Sequence, residues 1–402
     1  MTPVAGRRVL LGVSGGIACY KACAVARRLT EDGALVDVVM TAAAGEFIRP
    51  LTFEALTGRP VVTSLWEPGR ALDHVKLGRT TDLIVAAPAT AQLIARMAQG
   101  MADDFLTALL LARRAPLLLV PAMNDQMYAH PATQANLKML SKQDALTILG
   151  PTTGPLAHGE GEGPGRMVEP DEICAWAERL LRSAEPFAGR HVVVTAGPTR
   201  EPMDPVRVIT NRSSGRMGFA LARAAWLRGA DVTLIAGPGG LSAPPGVTVR
   251  RVETTEDLKK AVSKALPEAD ALIMAAAPSD YHPGTPSKNK TKRESGALTL
   301  KLEPTPDVLT STTKARRNGA VIVGFALETK DLVASARHKL KSKGLDLVIA
   351  NPANEKGAGP ESPTNKVTLV TAKDTKALPL MPKDAVAEAI LDKVGALLAH
   401  RG

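Results

Sequence analysis

"RRVLLGVSGGIACYKACAVARRLTEDGALVDVVMT", residues 7–41, decides the fold of the first half of the chain. Residues 7–16 are an apolar run that ends in small residues. Residues 17–33 carry apolar side chains at helical spacing and stop at Gly33. Residues 35–41 are a second apolar run. Strand, glycine-rich turn, helix and strand together predict one unit of a parallel α/β sheet. At the turn, Ser14, Gly15 and Gly16 stand where a helix begins. Backbone N–H groups there can face a phosphate, and glycine allows close approach. The turn is neither a Walker A loop nor a full GxGxxG, so taken alone it also reads as a tight turn.

The same rhythm continues outward. "DLIVAAP" (82–88) and "PLLLVPAM" (116–123) read as buried strands, with one helical stretch, residues 90–112, between them. A Gly/Pro stretch over about 150–166, "PLAHGEGEGPGRM" (155–167) at its centre, breaks the pattern and reads as a mobile loop. A helix over 170–183 follows, then "AEPFAGR" (184–190), which reads as a linker. The rhythm restarts with strands at "HVVVTAG" (191–197), "DVTLIAG" (231–237), "ALIMAAAP" (271–278), "AVIVGFA" (320–326) and "LDLVIAN" (345–351), and a helix at 215–229. The expected fold class is α/β, with two doubly wound domains and a boundary near residue 186.

Composition narrows the function. The chain has 402 residues, 45 % of them apolar and only 3 % aromatic, so its cores must be built from Ala, Val, Leu and Ile. The net charge of +10 points to anionic partners. Nucleic acid fits poorly, because single-strand stacking wants aromatics. Phosphorylated small molecules fit better. The cysteines are Cys19, Cys23 and Cys174, with no CxxC pair, which argues against a disulfide framework or a zinc site. No apolar run approaches the ~20 residues of a membrane span, and glycines interrupt any signal-peptide core at the N-terminus. A cytoplasmic enzyme with no membrane partner is expected.

Small polar residues close several predicted strands: Thr41, then Pro88, Ala89 and Thr90 in "AAPATAQ", then Asn124 in "PAMNDQM". Ligands of open α/β sheets bind at that edge. At "GVSGGIACYK", "APATA" and "PAMNDQM" together the first half resembles the flavin-containing cysteine decarboxylases. "TAGPTREPMDPVRVITNRSSGRMG" (195–218), "AAAPSDY" (275–281) and "GFALET" (324–329) resemble phosphopantothenate–cysteine ligase. Nearly the whole chain therefore resembles the bifunctional bacterial coenzyme A biosynthesis proteins. The resemblance implies a flavodoxin-like FMN domain over 1–185 and a Rossmann-like ligase domain over 190–402.

For the first domain the resemblance implies FMN contacts from Ser14, Gly15, Gly16, Thr41, Pro88, Ala89, Thr90 and Met127. His74 in "DHVKLG" matches an active-site histidine, although the residue alone also reads as a half-buried loop position. Met127 reads equally well as packing. Asn124 matches the asparagine that holds the substrate carboxylate; its amide can donate to that group. The 155–167 stretch matches a flap over the substrate. Relatives carry "LACG" there, and their cysteine supplies a proton. This chain keeps "GRM" (165–167) but has His158 at the cysteine position. Three readings stay open: His158 is itself the acid, the reaction stops at the oxidised product, or another group protonates. The alternative function is thus an active ligase with an impaired first domain.

For the second domain the resemblance implies that CTP activates 4′-phosphopantothenate as an acyl-cytidylate, which L-cysteine then attacks. Asn211 matches the asparagine of that step, and reads otherwise as a helix-cap residue. Met274, Ala275, Ala276, Asp280, Pro306, Asp307, Val308, Leu309 and Phe325 match nucleotide contacts. Lys339 and Lys343, at i and i+4 of one predicted helix, match triphosphate contacts, or form an ordinary solvated face. Lys288 in "SKNKTKRE" (287–294) matches a catalytic lysine, with Lys290 the fallback. Mg²⁺ is expected on the triphosphate, and a trimer-based homo-oligomer, up to a dodecamer, is implied. A flavin prenyltransferase-like protein would share the first domain but lack "GPTREPMDP".

Overall fold

Parallel strands with helices between them form the main sheet of each half. The computed structural model describes residues 3–67, 72–182, 186–292, 298–355 and 357–401. It separates into two units, 1–183 and 184–402.

In the first unit β1 (Arg8–Val13), β2 (Leu35–Met40), β3 (Leu83–Ala89), β4 (Leu117–Pro121) and β5 (Leu146–Ile148) pair in the order 2-1-3-4-5, all parallel. This is the flavodoxin-like strand order. Its helices are α1 (Cys19–Glu31), α2 (Ala42–Gly45), α3 (Pro50–Thr57), α4 (Asp73–Thr80), α5 (Ala91–Gln99), α6 (Phe105–Ala112), α7 (Asp125–Ala129), α8 (Pro131–Leu140) and α9 (Pro170–Leu181). Side chains of a strand alternate between faces. Val9, Leu11 and Val13 therefore pack with Val25 and Leu29 of α1 and Ile173 of α9. Leu10 and Ile84 pack on the other face, with Ile94 of α5 and Leu106 and Leu109 of α6.

Two expectations are corrected here. The single helix over 90–112 is two helices. Gly100, at φ +70°, ends α5 in the left-handed conformation that glycine adopts freely. Asp104 and Thr107 then cap α6 reciprocally. The 155–167 loop is a hairpin, β6 (Thr152–Pro155) paired antiparallel with β7 (Glu162–Arg166). Its glycines and prolines mask the strand pattern in sequence.

In the second unit the main sheet contains β8 (His191–Ala196), β11 (Asp231–Ala236), β12 (Thr248–Arg251), β13 (Ala271–Met274), β16 (Val321–Glu328), β17 (Leu347–Pro352), β19 (Thr368–Val370) and β20 (Thr375–Ala377). The order is 12-11-8-13-16-17-19-20, with the first six strands parallel and the last two antiparallel. The parallel part is the Rossmann order. Three ribbons stand outside it: β9 (Arg200–Pro202) with β10 (Val208–Thr210), β14 (Tyr281–Pro283) with β15 (Leu302–Pro304), and β18 (Thr364–Asn365) with β21 (Met381–Pro382). The helices are α10 (Arg216–Leu227), α11 (Thr255–Ala265), α12 (Val308–Ser311), α13 (Leu332–Ser342) and α14 (Lys383–Ala399). The stretch read as a linker is partly core. Phe187 is buried beneath Arg228, whose guanidinium lies 5.8 Å from the ring centroid, and beside Gly395 of α14.

Candidate active sites

In a 2-1-3-4-5 sheet the strand order reverses between β1 and β3, and the loops after those strands frame a crevice. Two adjoining cavities lie there and share Gly15, Thr90 and Gln92. The smaller, about 350 Å³, is lined by Ser14, Gly15, Thr41, Trp66 and Phe105 among others. The larger, about 670 Å³, is lined by Gly16, Pro88, Asn124, Met127 and the hairpin. Gly15 is there because of space: a Cβ would stand 2.6 Å from the Ala43 carbonyl oxygen.

The side chains differ in what they leave free. The buried Ser14 hydroxyl donates to the Pro88 carbonyl at 2.7 Å and accepts from the Thr90 N–H at 3.0 Å. It joins the two loops. Thr41 caps α2 and Thr90 caps α5 through their side-chain oxygens. Asn124 caps α7: its Oδ1 accepts from the Gln126 N–H at 2.9 Å, which leaves the amide N–H₂ toward the cavity it lines. Ala89 is fully buried and lines neither cavity.

His74 also lines neither. It sits on α4 with its ring edge-on to Phe105, centroids 6.2 Å apart. Its Nδ1 is buried and has no hydrogen-bond partner. Large apolar side chains are exposed in this unit: Ile17 and Tyr20 around the start of α1, Trp66 on the smaller cavity, and Leu72 before α4.

The hairpin covers the larger cavity. The Glu160 N–H donates to the Ala157 carbonyl at 3.0 Å, which closes a turn with His158 and Gly159 at its apex. Gly159 has φ +85°, as the third position of a type II turn requires. Ala157 and Glu160 therefore flank the turn and line the cavity. His158 stands exposed at the tip and does not. The far strand is held from below. The Met123 N–H donates to the Gly165 carbonyl at 3.0 Å, and Lys21, buried on α1, donates to the Met167 carbonyl at 2.9 Å and to Glu169 at 3.0 Å. Lys21 was readable from sequence as a lysine on the apolar face of α1. Burial raises the Cys19 thiol above its ordinary range.

In the second unit the order reverses between β8 and β13, and one cavity of about 730 Å³ opens at their carboxyl ends. It is lined by Asn211, Met274, Ala275, Ala276, Asp280, Pro306, Asp307, Val308, Leu309, Phe325, Lys339 and Lys343. Lys339 pairs with Glu328 at 2.8 Å and Lys343 with Asp307 at 2.6 Å. Burial raises the Asp307 carboxyl, but Lys343 and the Thr310 N–H outweigh it and hold the group below its ordinary range. The Asn211 amide donates to the Pro278 carbonyl at 2.8 Å. Lys288 and Lys290 are exposed and do not line the cavity. Their loop is tied to the 203–207 turn. Asp204 accepts from the N–H groups of Val206, Arg207 and Thr291 and from the Arg207 guanidinium. Sequence reading missed Lys383, which lines the cavity from the start of α14. Nothing in "PLMPKDAV" marks that lysine as buried.

No helix of the described residues is long and apolar enough to cross a membrane. A family model described as Flavoprotein matches residues 2–181, and one described as DNA/pantothenate metabolism flavoprotein C-terminal domain matches 187–398. The chain is 45 % identical over 404 residues to the coenzyme A biosynthesis bifunctional protein CoaBC of Vibrio vulnificus (strain YJ016), covering 100 % of each. It is 46 % identical over 409 residues to that of Mycobacterium tuberculosis (strain H37Rv), covering 98 % of this chain and 97 % of the relative. To that of Bacillus subtilis (strain 168) it is 43 % identical over 402 residues, 98 % of each. With both halves matched, a ligase with a spent first domain is not favoured. The chain belongs to the family of coenzyme A biosynthesis bifunctional proteins, enzymes that join a phosphopantothenoylcysteine decarboxylase half to a phosphopantothenate–cysteine ligase half.

Proposed function

We propose that the second half joins 4′-phosphopantothenate to L-cysteine at the expense of CTP, and that the first half decarboxylates the product to 4′-phosphopantetheine with FMN, in the cytoplasm. One observation carries the ligase reading: every residue matched to the nucleotide except Lys288 lines a single cavity at the switch point of the second sheet. A carboxylate is a poor acyl donor, and transfer to the nucleotide activates it. Asn211, which lines the same cavity, serves that step. Lys339 and Lys343, which line that cavity, would hold the triphosphate, and Mg²⁺ would help to neutralise its charge. Lys288 joins when its loop folds over the bound nucleotide.

The cavities of the first unit fit FMN. Pro88, Ala122, Met123 and Met127 offer an apolar wall for a flat ring, and Thr41 and the Gly15–Gly16 turn a polar end. When bound, the flavin would supply a reversible two-electron acceptor for the substrate thiol, the chemistry that eases loss of CO₂. Asn124 holds the carboxylate through its free N–H₂ and stays neutral as the charge departs. The hairpin excludes water. Re-reduction needs a proton at the carbon that lost CO₂. Glu160 offers a carboxyl that lines the cavity. His158 requires the tip of the hairpin to turn inward. His74 does not line these cavities with Asn124, so we propose that a second copy of the chain completes the site. The exposed Ile17, Tyr20, Trp66 and Leu72 support an oligomer, trimer-based as the family resemblance implies.

The test is product analysis. Protein with 4′-phosphopantothenate, cysteine, CTP and Mg²⁺ should yield 4′-phosphopantetheine, CMP and pyrophosphate by mass spectrometry. ATP serving better than CTP would refute the nucleotide assignment. Phosphopantothenoylcysteine as the end product would refute the decarboxylase assignment.

A further inference from the structure

Two segments of the second unit that line the ligase cavity are tied together by a residue that does not line it. α12 is a single helical turn of four residues; it supplies Val308 and Leu309 to the wall and is capped by Asp307. A helix that short does not hold itself. α13 supplies Lys339, and Lys343 is its C-cap. Two links join α12 to the end of α13. The first is the ion pair of Lys343 with Asp307, at 2.6 Å, between two residues of the lining. The second is Arg316, which lies between α12 and β16 in the chain and outside the lining.

The Arg316 guanidinium reaches both segments at once. Its Nη2 donates to the Leu309 carbonyl of α12 at 2.7 Å and to the Lys343 carbonyl at 3.2 Å. Its Nη1 donates to the carbonyls of Gly344 at 2.9 Å and Lys343 at 3.2 Å. Gly344, at φ +57°, carries the chain out of α13. The last carbonyls of a helix lack partners in the helical ladder, and its end is negative. A guanidinium suits this place, because its donors form a rigid fork and it stays charged.

The two links respond differently to a ligand. Any anion that Lys343 holds competes with Asp307 for its ammonium, so the ion pair weakens when the cavity fills. The bonds of Arg316 run to backbone carbonyls and persist.

We propose that Arg316 is a positioning residue for the nucleotide: it clamps α12 to the end of α13 and so keeps Lys343 in register with the wall at Val308 and Leu309 when that lysine turns from Asp307 to the ligand's phosphates. This rests on the ligase reading above and adds to it a residue that touches no ligand.

The test is steady-state ligation by the full-length protein, followed as pyrophosphate release, for Arg316→Met, Arg316→Lys, Lys343→Ala and the double variant Arg316→Met/Lys343→Ala. Arg316→Met should raise KM for CTP about tenfold, as loss of charge-assisted hydrogen bonds does. KM for cysteine should stay within about twofold of wild type. Arg316→Lys keeps the charge but not the fork, so it should raise KM for CTP only about threefold. It carries the test if Arg316→Met does not fold. In the Lys343→Ala background, Arg316→Met should raise KM for CTP no more than about twofold, because a residue that acts through another is not additive with it. An arginine that only stabilises the fold would lower the melting temperature without this pattern. An unchanged KM for CTP in both Arg316 variants, equal rises for CTP and cysteine, or the full rise in the Lys343→Ala background would each overturn the proposal. If instead Lys343→Ala by itself leaves KM for CTP unchanged, or wild type does not ligate, the ligase reading falls and the proposal falls with it.

Discussion

The two halves solve the same problem unequally. Both are doubly wound sheets with a cavity at the switch point. In the second half one chain gathers every nucleotide-matching residue but Lys288 into one cavity, several of them from β13, α12, β16 and α13. In the first half the cavities collect Asn124 and the glycine turn but leave out His74 and His158. Where ligand contacts come from strand ends, the sheet itself brings them together. Where they come from a helix flank or a hairpin tip, the sheet does not, and the proposal above gives His74 to a second copy and the flap to a closing motion.

The largest expected effect breaks the link between the halves. Asn211→Ala should lower ligase turnover about 100- to 1000-fold, the usual cost of removing a donor aimed at developing charge. Decarboxylation of supplied 4′-phosphopantothenoylcysteine should be unchanged. A parallel loss of both activities would mean the halves are not independent.

Next comes the flap. Glu160→Gln should slow re-reduction about 100-fold, as loss of a general acid does. A decarboxylated species two hydrogens lighter than the product should then accumulate in the mass spectrum. His158→Ala should leave the product distribution as it is in wild type. The reverse pattern would mean that the tip turns inward and that the imidazole is the acid.

Two smaller effects concern stability. Phe187→Ala should destabilise the second unit by about 3–5 kcal/mol, as emptying a buried aromatic site does. Denaturant unfolding checks it, and an unchanged midpoint would return 184–190 to the status of a linker. For Asp204, burial pushes the carboxyl up, but the N–H groups of Val206, Arg207 and Thr291 and the Arg207 guanidinium outweigh it and hold the group below its ordinary range. Its folded value lies below the unfolded one. The stability it lends is therefore present above the unfolded value and lost as pH falls toward the folded one. Asp204→Asn should melt lower than wild type at neutral pH, and the gap should start to close below about pH 4. A gap that widens in acid would contradict this.

Much of this was legible in sequence, for a physical reason. Buried parallel strands are apolar runs, so "VVVTA", "LIVAA" and "VIVGFA" announce themselves, and their order along the chain fixes where polar residues such as Thr90 and Asp280 emerge. Gly100 and Asp104 also carried a signal, a helix stop and a helix cap, inside a stretch that reads as one helix. The hairpin was hidden because its glycines and prolines satisfy a register that propensity cannot see. Gly165 is needed there: a Cβ would stand 2.2 Å from the Met123 carbonyl oxygen. The turn register that swaps Glu160 for His158 depends on one backbone hydrogen bond. Lys383 looks like any lysine at a helix start until the 357–365 segment folds over it.

The most direct test of the contrast between the halves is a mixing experiment. His74→Ala and Asn124→Ala proteins, each expected to lack decarboxylase activity, are combined under conditions of subunit exchange. If each site draws Asn124 from one copy and His74 from another, an equal mixture should recover about a quarter of wild-type decarboxylation, because random pairing in a symmetric ring restores that share of sites. If the mixture stays inactive while the oligomers have demonstrably exchanged, both residues serve within one chain, and the account of an incomplete first site is wrong.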